Sequence, residues 1–163
     1  MIGLMGVRTA LPSELDQVYR MGADVWGRGM ALDAYLASCR DSPKYRLGEW
    51  RVLEDERGVL LSSLILYREP EDGAGIGSIA TAPTERRRGR AERLIAGVLE
   101  ELDRQGARRV FLYSDIAPRY YERFGFAALP AEHQHHPGSV CMVRTRSLAA
   151  LLGAPGFRPP AYF

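Results

Sequence analysis

The sequence predicts an α+β (α/β) fold, a mixed sheet flanked by helices, and three observations predict it. Two runs with apolar stretches, "EWRVLED" (49–55) and "GVLLSSLILYRE" (58–69), flank the turn "DERG" and read as an antiparallel hairpin. A strand "GIGSIATA" (about 75–82) is followed by a loop and then by an apolar stripe at helical spacing. A buried strand, "RRVFLYS" (108–114), comes next. A strand–loop–helix–strand unit places its two strands parallel, joined by a right-handed crossover.

The elements follow in order. Residues 4–9 form a short strand. Pro12 and Ser13 open a helix that Ser13 caps, with Leu15, Val18, Tyr19, Val25 and Trp26 at roughly helical spacing. Gly22 shares that face and marks a close contact or an early end. A second helix covers 31–39. The helix after the third strand spans about 88–105: Leu94, Val98 and Leu102 recur every four residues, with Ile95 and Leu99 beside them. Glu92, Arg93, Glu100, Glu101, Asp103 and Arg104 take its wet face, and Gly106 suits its C-terminal cap. A short helix at 117–124 and a strand "SVCMVRT" (139–145) complete a single domain over 1–150. Residues 151–163 are an irregular tail whose last ten, "APGFRPPAYF", are rich in Pro and Gly.

With 163 residues, 46% hydrophobic and 26% charged, the chain can bury a core of its own. Its net charge is only +2, so its basic character is local. Cys39 and Cys141 form no CxxC pair and read as reduced thiols of a cytoplasmic protein. The opening "MIGLMGVRTALPSELD" lacks the basic leader and the long apolar run of a secretory signal. No stretch approaches the roughly 18 apolar residues of a membrane span.

The local basic character sits in "APTERRRGRAERLI" (82–95), with arginines at 86, 87, 88, 90 and 93. A helix leaves about four N–H groups of its first turn without internal partners, and with the dipole they form an anion site. Gly89 lets a ligand approach the backbone, Ala91 is nearly as small, and the arginines add charge-assisted hydrogen bonds to phosphate. A P-loop would need GxxxxGK[ST], which is absent. "GAGIGS" (73–78) nears the dinucleotide fingerprint but ends in Ser78 and precedes its strand.

"RRRGRA" (86–91) resembles instead the Arg/Gln-x-x-Gly-x-Gly/Ala signature of the GNAT-type N-acetyltransferase superfamily, with Arg86, Gly89 and Ala91 at its three positions. "SDIAPRYYERFGF" (114–126) resembles that family's later motif at Ala117, Tyr121, Glu122, Arg123, Gly125 and Phe126, with Ser114 in place of the common Asn. Both occur in the family's order, and the resemblance covers residues 47–145 well. It implies a mostly antiparallel central sheet with a splayed parallel pair. It implies acetyl-CoA as co-substrate and no metal. The diphosphate would be held through Arg86, Arg87, Arg88, Gly89, Arg90 and Ala91, with Ser114 near the cofactor. Ile79, Ala80 and Thr81 would offer main-chain groups to the pantetheine and thioester.

Acetyl transfer to an amine needs a base for the amine, a donor for the developing oxyanion and an acid for the departing thiolate. Tyr121 is the candidate acid, since a phenol of pKa about 10 stays protonated at neutral pH. Tyr120 points about 100° away on a helix. No carboxylate lies on the 75–82 strand. Glu69, Glu71, Asp72 and Asp115 are candidate bases, and a water chain or an already deprotonated amine would also serve. The three histidines of "EHQHH" (132–136) lack the donor set of a metal site, and Trp26 and Trp50 read as core or pocket-wall residues.

The expected function is therefore acetyl transfer to a primary amine of a small molecule or peptide. The alternatives are a non-catalytic acetyl-CoA sensor and, last, a nucleic-acid binder, for which 86–93 lacks the interleaved aromatics. No membrane partner is expected, and a homodimer is allowed. Amino acids, polyamines, aminoglycosides and protein N-termini are all candidate acceptors.

Overall fold

The computed structural model describes residues 4–163, and the first three residues of the opening stretch lie outside that range. Seven strands run in the order β1-β2-β3-β4-β5-β7-β6. The chain divides into two compact units, Met1–Tyr67 with Ser78–Glu101, and Arg68–Gly77 with Leu102–Phe163.

In the first unit β1 (Gly6–Thr9) leads into a 3-10 turn at Pro12–Glu14 and then α1 (Leu15–Arg20), α2 (Ala23–Trp26), α3 (Leu32–Asp41) and α4 (Pro43–Arg46). β2 (Glu49–Glu54) and β3 (Leu60–Glu69) form the expected antiparallel hairpin. Its turn is built by Asp55, whose Oδ1 accepts from the N–H groups of Arg57 and Val59, both at 2.9 Å. β1 pairs antiparallel with β2. The expected Ser13 cap is replaced: Ser13 lies within the 3-10 turn, and Glu14 accepts from the Leu11 N–H at 2.8 Å. The cause is Arg8, which holds Glu14 and Glu54 together at 2.7 and 2.8 Å and so fixes the carboxylate where it meets the turn.

β4 (Gly73–Thr81) and α5 (Arg90–Arg104) belong partly to each unit. The apolar stripe read from the sequence is the buried face of α5: Leu94, Ile95, Val98, Leu99 and Leu102 are all buried. Each such side chain contributes roughly 1.5–3 kcal/mol of transfer free energy. Gly97 sets the approach of α5 to β1, because a Cβ there would lie 2.7 Å from Val7. Buried Arg51 of β2 donates to Glu101 of α5 at 2.9 and 3.1 Å, a charged tie between the same layers.

In the second unit β4 pairs parallel with β5 (Arg109–Ser114) over Gly73–Gly75 and Arg109–Phe111. α6 (Arg119–Glu122), β6 (Ala127–Ala128), β7 (Val140–Thr145) and α7 (Leu148–Gly153) follow. β7 pairs antiparallel with both β5 and β6. The sequence did not reveal α4, β6 or α7, which are too short to show a period. The core joins Phe111, Leu129, Cys141, Val143 and Leu151.

The tail over 154–163 forms no helix or strand, yet it packs. Phe157 stacks on Phe111 at 6.4 Å, and Tyr113 Oη donates to the Pro160 carbonyl at 2.6 Å. Phe163 lies over Gly75, where a Cβ would come within 2.4 Å of its ring.

Candidate functional site

The loop between β4 and α5 is shaped by two left-handed residues, Arg87 (φ 60°) and Gly89 (φ 70°). Gly89 meets the cost of that conformation as glycine does, whereas at Arg87 the backbone is strained. Alternation of left-handed residues with their neighbours turns successive N–H groups toward one concavity, an anion-binding nest. Among the described residues, no main-chain acceptor takes the N–H groups of Arg87, Arg88, Gly89, Arg90 or Ala91. The first return bond of the helix runs from Arg93 N–H to Gly89 O at 3.1 Å. A Cβ on Gly89 would meet nothing within 4 Å, so the space in front of this backbone is open.

The arginine side chains behave differently from the amides. Arg86 turns back to Asp24, donating to both carboxylate oxygens at 2.6 and 2.8 Å, and also reaches the carbonyls of Thr81 at 3.2 Å and Met21 at 3.3 Å. The guanidinium holds the Asp24 carboxyl below its ordinary range, chiefly through that hydrogen bond. Arg90 donates to Glu85 at 3.0 Å and to Met5 Sδ at 3.0 Å. Arg88 lies 3.6 Å from the same Glu85 and stays 60% exposed. The loop thus presents main-chain N–H groups, with the Arg87 and Arg88 side chains exposed beside them.

Ile79, Ala80 and Thr81 form the last residues of β4 and are half-buried. Ser62 of β3 fixes them: its Oγ donates to Ala80 O at 2.7 Å and lies 3.1 Å from Thr81 Oγ1. Just before them Ser78 sits in the strand with φ 45°, and its Oγ donates to Tyr45 Oη at 3.4 Å. The left-handed residue interrupts regular strand geometry at the start of the stretch singled out from the sequence. Its only sequence signal was the glycine-rich "GAGIGS". Asp24 carried no signal at all, since it is 62 residues from its partner.

In the second unit Ser114 is buried, and its Oγ donates to Ile116 O at 2.8 Å and accepts from Ile116 N–H at 3.3 Å. Its side chain is therefore taken up by that turn, and its backbone lies in register with Val140 of β7. Tyr121 packs edge-on against Tyr120 at 5.0 Å and Phe126 at 6.3 Å. Burial first, then Tyr120 and Asp115, pushes its phenol up to about 12, and no described residue hydrogen-bonds its hydroxyl. It is a protonated donor across the neutral range.

Of the candidate bases, Glu71 pairs with Arg109, and Asp72 lies 3.6 Å from Arg108. Asp115 is exposed, and burial raises the Glu69 carboxyl above its ordinary value. His136 stacks on Tyr162 at 3.7 Å and meets Ser139 Oγ at 3.0 Å, while His133 packs on Phe157. Among the described residues no group of three metal-ligating side chains forms, and no helix is long and apolar enough to cross a membrane.

A strand end, a loop of unclaimed main-chain N–H groups and a long helix thus follow one another in the chain. The profile of the acetyltransferase (GNAT) domain matches residues 6–129, and the chain belongs to that family. Its fold is similar to that of the GNAT family N-acetyltransferase YhbS from Escherichia coli, solved in complex with CoA: TM-score 0.66, 21% identity, covering 88% of this chain and 82% of that one. It is also similar to a GNAT family acetyltransferase from Brucella melitensis in complex with acetyl-CoA: TM-score 0.61, 20% identity, 85% and 87% covered. A third similar structure is the ribosomal-protein-S18-alanine N-acetyltransferase from Escherichia coli: TM-score 0.64, 14% identity, 88% and 96% covered. No curated protein matches the sequence.

Proposed function

We propose that this chain is an acetyl-CoA-dependent N-acyltransferase that moves an acetyl group to a primary amine of a small molecule or peptide. The observation that carries the reading is the loop at Arg87–Ala91, whose unclaimed amides stand at the start of a 15-residue helix with open space before Gly89. That donor set suits a diphosphate. The CoA and acetyl-CoA held by two of the similar structures support the same assignment.

In this reading the main chain of Arg87–Ala91 holds the diphosphate, with Arg87 and Arg88 adding charge from the rim. Arg86 acts as a positioning residue, tying the loop to Asp24 and to the end of β4. The main chain of Ile79–Thr81 orients the pantetheine arm, and Ser114 contributes through its backbone. Bound acetyl-CoA supplies the activated thioester. Tyr121 holds a proton on Oη for the leaving sulfur, and its apolar surroundings keep that proton in place. The amine loses its proton to water or arrives without it.

Calorimetry with acetyl-CoA, followed by thiol release across a panel of amines, tests the proposal. Saturable binding with thiol release dependent on one class of amine is the expected result. Absence of binding overturns it. Binding without release from any amine makes the chain an acetyl-CoA sensor instead.

A further inference from the structure

A cavity of about 580 Å³ opens in the first unit between the start of α1, the end of α3, α4 and the first residues of β2. Its volume falls within the roughly 300–1,000 Å³ of small-molecule sites. Three aromatic rings form one wall. Tyr19 and Tyr45 stack at 5.7 Å, and Trp50 meets them edge-on at 5.7 and 5.0 Å. Such a wall is apolar, rigid and ready to receive a flat or branched apolar body without reordering.

The ionic groups of the cavity are asymmetric. Asp16 is already consumed by Arg40, which donates to both its oxygens at 2.8 and 2.7 Å. Arg46 is held more loosely: Asp41 lies 3.6 Å away, its Nε donates to Arg40 O at 3.3 Å, and its side chain stays 67% exposed. The lining therefore carries two guanidinium groups against one carboxylate. Asp41 offsets the charge of Arg46, so the preference is local: the exposed Arg46 guanidinium keeps N–H donors for an anionic group, while Asp16, taken up by Arg40, offers little to a polycation. The cavity wall also reaches the strand assigned to the thioester, because Tyr45 Oη accepts from Ser78 Oγ, one residue before Ile79.

We infer that this cavity is the acceptor pocket and that its acceptor is a small amino-acid-like amine, with an apolar or aromatic body on the Tyr19–Tyr45–Trp50 wall and a carboxylate on Arg46. The assignment rests on the acyl-transfer reading and narrows it. In the transfer the acceptor nitrogen forms its bond to the acetyl carbon as that carbon's bond to sulfur breaks. The nitrogen gives one proton to water, and the sulfur takes one. Polyamines and aminoglycosides, which carry several positive charges and no carboxylate, are poor fits.

The test uses the full chain with saturating acetyl-CoA and matched acceptors: phenylalanine and leucine, their decarboxylated counterparts phenethylamine and isoamylamine, spermidine, and an alanine-terminated peptide. Removing the carboxylate is expected to lower kcat/KM about tenfold or more, the worth of one charge-assisted hydrogen bond. Arg46→Gln is expected to raise KM for phenylalanine about tenfold with kcat held, and to leave phenethylamine unaffected. As an independent readout, Trp26→Phe leaves Trp50 the sole tryptophan. Its emission should then respond to phenylalanine in the presence of CoA, and Arg46→Gln should shift that titration to higher concentration. Equal use of amine and amino acid, preference for spermidine or the peptide, or a silent Trp50 would overturn the assignment. If acetyl-CoA itself does not bind, both this inference and the acyl-transfer reading fall. If it binds and turnover ignores the carboxylate, only the pocket assignment falls.

Discussion

Arg86 and Asp24 form a two-bond ion pair, at 2.6 and 2.8 Å, between the loop after β4 and α2. The same guanidinium reaches the carbonyls of Thr81 and Met21, so one side chain fixes the end of β4, the loop and the end of α1. Arg86→Gln and Asp24→Asn should each weaken acetyl-CoA binding by loosening the loop. Because they break one interaction, the double variant should lose less than the product of the two single losses. Calorimetry on the four proteins checks this. Tighter binding in Asp24→Asn would instead make Arg86 a direct phosphate ligand released from its partner.

Gly89 separates conformation from space. Its φ of 70° penalises any side chain, yet a Cβ would meet no atom of the protein. Gly89→Ala should cost about 1 kcal/mol in thermal unfolding, the usual price of left-handed backbone. Asparagine tolerates that region, so Gly89→Asn should keep most of the stability. Both should bind acetyl-CoA about tenfold or more weakly, because a side chain then stands where the phosphates approach. Wild-type affinity in Gly89→Asn would place the anion elsewhere.

Tyr121 makes a statement about pH in two ways. With its phenol held at about 12 against an ordinary 10, the group stays a proton donor well into the alkaline range. Tyr121→Phe should therefore lower kcat while leaving the acetyl-CoA Kd nearly unchanged, as loss of a general acid does. For stability the sign follows from which state ionises first. The unfolded phenol loses its proton near 10 and the folded one near 12, so the contribution is complete below pH 10 and fades as pH rises toward 12. Tyr121→Phe should flatten that part of the alkaline unfolding curve measured by circular dichroism.

Ser63 of β3 is 1% exposed, and its Oγ has no hydrogen-bond partner. A buried hydroxyl without a partner costs free energy, so Ser63→Ala should leave stability unchanged or raise it by about 1 kcal/mol. Chemical denaturation with a fixed m-value is the measurement. A loss greater than about 1 kcal/mol would show that the hydroxyl is bonded in solution.

Periodicity made most of this molecule legible. The stripe at Leu94, Val98 and Leu102 is the buried face of α5, and the hairpin 49–69 and the parallel β4–β5 pair lie where alternation and turn residues put them. The helix begins at Arg90, two residues later than expected, because Gly89 holds the chain out of helical geometry. The expected helix at 117–124 shrinks to Arg119–Glu122, stopped before the left-handed Gly125 (φ 88°). The first three residues of the tail expected to be irregular over 151–163 close α7, and its aromatics at 157 and 163 pack against the second unit's core, which composition does not reveal.

The sequence by itself determined the family, the position of the amide loop and the tyrosine that follows β5, since each is a local pattern of residues within one turn or one short motif. Only the tertiary structure decided what the charges do. The sequence pointed Arg86 at an anion and the fold pairs it with Asp24, a contact that depends on where residue 24 stands in space. The aromatic cavity beside Arg46 is likewise assembled from two stretches of the chain, 12–19 and 40–50, and no short window contains it.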